Sequence, residues 1–330
     1  MTATRTADVP TEEHTVSIAG LTLTTRSGPY AVFAAGVVFS FGPLLFRSRE
    51  EATEWQFLFY RSISLAFAAA MVLVFRHRGR LPNVIRSITT RHWIAGVLLA
   101  CMFSGFIISL SRVDTATVLL LQTLSPFSAA LLGWILIRER VSASTWGAMA
   151  LAIAGVVIMV GVGQPDPNAV GLIAAGLIPV MLGVYAVLLR TSTAQDPAVP
   201  IVIAGCVGSA IALVATLGGD GVDVPWSDVV LGCVSGGVLL GVGLPFFNTA
   251  SQVVPAARAT LLLLGEIVLA PLWVWLWQDE ELTTGTVVGG AVILAALVWL
   301  LSATEARRGL AATTAIRISA WRANRPRAKP

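Results

Sequence analysis

Glu266 is an acid set alone in the run ATLLLLGEIVLAPLWVWLW, residues 259–277. Of the 18 acidic residues in the chain, it alone falls near the centre of a long apolar stretch. A bare carboxylate in hydrocarbon costs at least roughly 3 kcal/mol, so it must face a cavity, meet a cation or hold a proton. That chemistry suits binding a substrate amine or exchanging a proton with it. The competing reading is a hydrogen bond or ion pair that locks two helices together. Arg61 and Arg258 are the other charges inside apolar runs. Arg61 lies about two turns from one end of its run, where it could line a gate or tie to Glu266; Arg258 lies about one turn from an end and reads as a cytoplasmic anchor that snorkels to the interface.

Uncharged polar side chains are sparse in the apolar runs: Ser40, Tyr60, Ser104, Ser109, Gln122, Thr123, Ser125, Tyr185, Asn248 and Thr260. A few such groups converging in an apolar cleft make a small-molecule site, although each singly also serves as a helix–helix hydrogen bond. Tyr60, Gln122, Ser125, Tyr185, Asn248 and Thr260 therefore join Glu266 and Arg61 as candidates for substrate binding or proton coupling. Gly42-Pro43, Pro179 and Pro245, the last preceded by Gly241 and Gly243, interrupt backbone bonding at or beyond mid-run. Such breaks border cavities or hinges, so these residues are gate or hinge candidates. The three histidines (His14, His77, His92) lack metal-ligand spacing, and the three cysteines (Cys101, Cys206, Cys233) lie in apolar runs where they pack as small hydrophobes. Neither a metal nor a cofactor is expected.

The elements that hold these residues are set by composition. The 330 residues are 56% hydrophobic and only 12% charged, with a mean hydropathy of +0.80. A water-soluble core that apolar could not be covered with polar surface. Lipid removes the problem, because a helix satisfies its own backbone groups and can turn apolar side chains outward. A bilayer core of roughly 30 Å needs about 17–25 apolar residues per helix. Runs of that kind cover residues 30–46, 56–76, 92–111, 115–137 and 142–162, then 170–190, 199–217, 228–248, 256–277 and 282–302. The expected fold is an all-α polytopic membrane protein of ten transmembrane helices joined by short turns. Residues 1–29 are polar and Thr-rich, without the apolar core of a signal peptide, and read as a disordered cytoplasmic tail. Residues 303–330 read as a basic cytoplasmic tail.

Orientation follows from the basic residues, of which 21 are Arg. With the N-terminus inside, 17 fall on the cytoplasmic side and only Arg47, Arg49 and Arg112 outside. Basic loops stay in the cytoplasm, so both termini are expected there, which requires an even number of crossings. The clusters suit anionic lipid head groups rather than nucleic acid.

Setting the chain against itself at an offset of 141 pairs residues 112–141 with 253–282 without a gap. Trp134 and Glu139 then face Trp275 and Glu280, both pairs at the end of the fourth run of their half. Five crossings per half is odd, so the second copy enters the bilayer from the opposite side. The expectation is two inverted five-helix repeats, 30–162 and 170–302, an architecture that works by alternating access about a midplane site. Gly285-x-x-x-Gly289 suits close packing, either between the halves or in a homodimer.

The stretches SRVDTATVLLLQTLSPFSAALLGWILIRERVSASTWGAMALAIAGVVIM and VVPAARATLLLLGEIVLAPLWVWLWQDEELTTGTVVGGAVILAALV resemble the paired modules of the EamA family, in the drug/metabolite transporter superfamily. The resemblance implies a ten-helix carrier of a small solute, commonly an exporter, in the cytoplasmic membrane. One departure is visible: the family often has Glu-Pro in the ninth helix, where this chain has Glu266-Ile267 and no proline until Pro271.

Two other function classes compete with a carrier of a metabolite, amino acid or drug-like solute. A membrane-embedded enzyme would need a second buried acid, a membrane His beside a Ser, or an H-E-x-x-H helix, and none is present; no enzyme is expected. A sensor on the same scaffold is the other alternative, since fold does not dictate function. The orientation is testable: a cysteine placed between Arg76 and Arg91 should react with an impermeant maleimide only from the cytoplasmic face.

Overall fold

The computed structural model describes residues 16–302 apart from 19–20, 25–26, 78, 80, 114–117, 119–120, 161–167, 192–195, 197, 220, 279–283, 286 and 301. Residues 1–15 and 303–330 of the two tails, and the repeat partner Glu280, lie outside the described residues. Among those described, seven helices are long and apolar enough to cross a membrane: Gly28–Arg47, Glu54–His77, Thr90–Arg112, Ala169–Thr191, Val199–Leu217, Trp226–Ser251 and Ala256–Trp277. Three shorter apolar helices are Ser125–Ile137, Ala143–Val160 and Val287–Leu300. Each coincides with a run read from the sequence. In the run 115–137 a turn at Thr123–Leu124 separates helical Leu121 and Gln122 from the helix that Ser125-Pro126 starts, and most of 114–120 lies outside the described residues.

Several long helices are broken rather than straight. Gly28–Phe39 ends at Ser40, and Gly42–Arg47 restarts with Pro43 in its first turn, where a missing backbone donor costs nothing. Ala256–Leu263 stops at Leu264, and Gly265–Gln278 begins just before Glu266. Under the 141-residue offset, this break matches the one at Thr123–Leu124. The turn at Leu264 forms without a proline following Glu266, and it is wedged by a close neighbour: a Cβ on Gly36 would lie 3.2 Å from the Leu263 carbonyl oxygen. Between Trp226–Cys233 and Gly241–Ser251 the chain winds as a π-helix, Val234–Leu240. No sequence pattern marked it, and such segments occur mostly at functional sites. Leu81–Arg86 is a further short helix inside a connection.

The N-terminal segment departs from the expected tail. Val16–Ile18 and Leu21–Leu23 pair as an antiparallel hairpin, because alternate apolar residues there give two short strands a common face.

Helix contacts run mostly between the halves. Glu54–His77 packs on Val199–Leu217 and on the π-helix, Thr90–Arg112 on Ala169–Thr191 and Val199–Leu217, and Ser125–Ile137 on Ala169–Thr191 and Ala256–Leu263. Small residues permit the approach. A Cβ on Gly205 would stand 2.5 Å from the Ala66 nitrogen. A Cβ on Gly155 would stand 2.8 Å from the Gly289 carbonyl, so Gly289 meets the other half of the chain. The two halves thus interleave around a shared interior instead of forming separate bundles.

Replacing Gly205 with alanine forces backbone apart across the Glu54–His77 and Val199–Leu217 contact. A loss of about 1–3 kcal/mol is expected, read as a lower melting temperature of the purified protein in detergent. An unchanged melting temperature would contradict the contact.

Candidate functional site

Arg61 points the site out. It sits on Glu54–His77, is 6% exposed, and its Nε and Nη1 are buried with no hydrogen-bond partner. Its guanidinium carbon lies 5.1 Å from the Phe103 ring centroid, a cation–π distance. Gly236 of the π-helix is what lets the neighbouring backbone sit so close, since a Cβ there would fall on the Arg61 carbonyl oxygen. Any larger residue would push that wall away.

Arg61 and Glu266 line one cavity, with an empty volume of about 890 Å³ including the space at its mouth. The walls come from both halves: Phe39, Ser40, Gly42 and Pro43; Met102, Phe103 and Phe106; Gln122; Leu182 and Tyr185; Ser235, Leu239 and Phe247; Leu263 and Ala270. Glu266 begins the helix after the Leu264 turn, and no described residue gives its carboxylate a hydrogen bond or an ion pair. The two charges interact across the cavity but do not reach ion-pair distance. The cavity is therefore apolar, aromatic and bipolar, the composition of a small-molecule site.

The other sequence candidates divide by position. Gln122 and Tyr185 reach the cavity wall, as do Gly42 and Pro43. Tyr185 is fully buried; its hydroxyl donates to Asn248 Oδ1 at 2.8 Å and its ring stacks 6.4 Å from Phe247. Asn248 thus stands behind the wall, holding Tyr185. Ser125 donates to the Gln122 carbonyl at 2.6 Å and Thr260 to the Ala256 and Ala257 carbonyls at 3.1 Å; neither lines the cavity. Thr260 bonds back along its own helix, as hydroxyls in apolar helices do, whereas Ser125 bonds back across the Thr123–Leu124 turn. Tyr60 also faces elsewhere: its hydroxyl donates to the Val222 carbonyl at 2.7 Å. Pro179 and Pro245 lie inside their helices, beside cavity residues Ile178 and Leu244. Arg258 is partly exposed in the first turn of Ala256–Leu263. Ser40, treated in the sequence as one polar residue among many, accepts a hydrogen bond from Trp273 Nε1 at 2.7 Å and pins the turn above Gly42.

Two end clasps were not foreseen. At one end, the fully buried Asp228 carboxylate accepts the backbone N–H groups of Glu50, Glu51 and Ala52 at 2.9, 2.9 and 2.8 Å. Gln56 donates to the Gly221 carbonyl beside it. At the other end, Glu139 Oε2 accepts the Ala256 N–H at 3.2 Å and Oε1 lies 3.5 Å from Arg190 Nε, while Arg190 donates to the Gln252 carbonyl. Asp228 could have been suspected as an acid in the first turn of a helix; its loop partners, 176–178 residues away, could not.

With the geometry in hand, comparison with known proteins is informative. Residues 26–161 match the model of the EamA-like transporter family. That stretch, less than half of the chain, is similar to an EamA module. This family belongs to the drug/metabolite transporter superfamily, whose members are membrane transporters. The matched stretch contains Arg61, Gln122, Gly42 and Pro43, whereas Glu266 stands in the second half, beyond the match. A solved crystal structure of a protein, 17% identical, superposes with a TM-score of 0.72 over 84% of this chain and 98% of that one, which shows a shared fold. No curated protein matches the chain.

Asp228→Asn should lower the melting temperature, since charge-assisted bonds to backbone N–H groups are worth about 1.5–3 kcal/mol each. Glu54→Gln, which removes the partly exposed Arg112–Glu54 pair, should cost no more than about 1 kcal/mol of stability and so lower the melting temperature less. Equal effects would show that the Asp228 clasp carries no special share of stability.

Proposed function

We propose that the chain is a secondary transporter that moves a small metabolite, amino acid or drug-like solute across the cytoplasmic membrane, as an exporter, with both termini in the cytoplasm. Its seven long and three short apolar helices are read as ten crossings in two inverted five-helix repeats, and the substrate site is the Arg61–Glu266 cavity. The observation that carries this reading is that cavity, walled by helices of both halves. Secondary carriers of inverted-repeat design hold substrate at the repeat interface, where rocking exposes it to each side in turn.

The matched breaks at Thr123–Leu124 and Leu264 support a repeat, since each ends a helical segment at the cavity wall. Gly42 and Pro43 sit at the cavity where a gate would bend, with Pro179 and Pro245 as hinges. The Asp228 clasp and the Glu139–Arg190 clasp lie at opposite ends, as the two closures of an alternating-access cycle would. The basic loops are read as resting on anionic lipid.

Protein reconstituted into liposomes should drive solute flux that responds to a proton gradient, with the solute chosen by comparing metabolites in cells overproducing the protein and cells lacking it. Glu266→Gln should abolish the proton-linked part while leaving expression and melting temperature close to wild type. Wild-type flux in that variant at every pH tested would overturn the role given to Glu266.

A further inference from the structure

We infer that the Arg61–Glu266 cavity takes a small zwitterion, whose acid group pairs with the guanidinium and whose ammonium pairs with the carboxylate. This names the substrate class of the site proposed above and rests on that reading.

Arg61 is the starting point. A guanidinium carries five N–H donors in a rigid fork and no acceptor, and here Nε and Nη1 are buried with nothing to bond. Unmade charge-assisted bonds in a low-dielectric interior are expensive. Two oxygens of one carboxylate match the geometry of the fork. Glu266, in the same wall, has the opposite need: its oxygens accept no hydrogen bond from any described residue. The pair could have answered each other as a salt bridge, yet the two side chains stand apart with the cavity between them.

Charge then selects the ligand. Among the described residues lining the cavity, Arg61 and Glu266 are the only charged ones. A ligand carrying only an anion would meet Glu266 as a like charge, and one carrying only a cation would meet Arg61 so. A neutral solute would leave the carboxylate and guanidinium without charged partners in a cavity whose walls are otherwise largely apolar. A ligand with both charges answers both residues and brings no net charge into the membrane. Phe39, Phe103, Phe106 and Phe247 supply the rest of the contact surface, so the body of the zwitterion between or beside its charges is apolar.

The test uses full-length protein in nanodiscs and three probes that share one side chain and carry different charges: L-norleucine (zwitterion), L-norleucinamide (cation) and N-acetyl-L-norleucine (anion). Calorimetry on the wild-type protein should find L-norleucine bound at least about tenfold more tightly than either relative, the size of one charge-assisted hydrogen bond. Arg61→Gln should erase the preference over the amide, Glu266→Gln the preference over the N-acetyl compound, and Arg61→Lys should retain part of the first. Affinities within twofold of each other on the wild-type protein, or no binding of L-norleucine at millimolar concentration, overturn the inference without recourse to any variant. Flux of L-norleucine into proteoliposomes separates the two claims. Selective binding without flux overturns the carrier and leaves the site; flux of another solute with no such selectivity overturns the site and leaves the carrier.

Discussion

A buried arginine with unmet donors is the constraint around which this molecule is arranged. Hydrocarbon gives no water to satisfy Arg61, and its own half gives it a ring, Phe103, but no carboxylate within ion-pair reach. The opposite charge comes from Glu266, two hundred residues later, on a helix that turns at Leu264 just before it. Holding these charges near each other without letting them close requires walls that do not yield. Those walls are made by close backbone approach: Gly236 against the Arg61 turn, Gly36 against the Leu264 turn, Gly205 against Ala66. Small residues serve here as they do generally in membranes, where packing rather than water exclusion holds helices together.

The interleaving of the halves follows from the same need. Halves that packed only on themselves would leave the cavity on an outer face, open to lipid. Here Glu54–His77 lies against Val199–Leu217, and Ser125–Ile137 against Ala169–Thr191, so the interior belongs to both. The clasps at the two ends differ in chemistry. Asp228 takes three backbone N–H groups in a fully buried pocket, whereas Glu139 meets one N–H and a partly exposed Arg190. The first is the stronger tie, since a carboxylate accepting several backbone N–H bonds away from water keeps its full electrostatic value.

The interruptions of the helices are where chemistry and mechanics meet. The turn at Ser40, the π-helix Val234–Leu240 and the turn at Leu264 all border the cavity. Backbone that leaves the regular α-helical ladder in a membrane protein needs neighbouring groups or a water-filled space to satisfy it. The Ser40 hydroxyl does part of this, donating to the Val37 carbonyl and accepting from Trp273.

The apolar runs were legible from composition and length alone, because hydrocarbon imposes one requirement on every residue of a span and that requirement is local. Glu266 and Arg61 were legible for the same reason, as charges that break the pattern. The EamA resemblance rested on local stretches and reappears as a match to residues 26–161. What the tertiary structure decided is which polar groups share a space. Tyr60, Ser125 and Thr260 look no different in sequence from Gln122 and Tyr185, yet the first three spend their hydroxyls on backbone carbonyls and do not line the cavity, whereas the last two reach its wall. The Asp228 clasp and the π-helix were equally silent, since each depends on partners far along the chain. Periodicity records which face of a helix avoids lipid; it carries no record of the residue met on the other side, and that meeting is what turns a buried charge into a site.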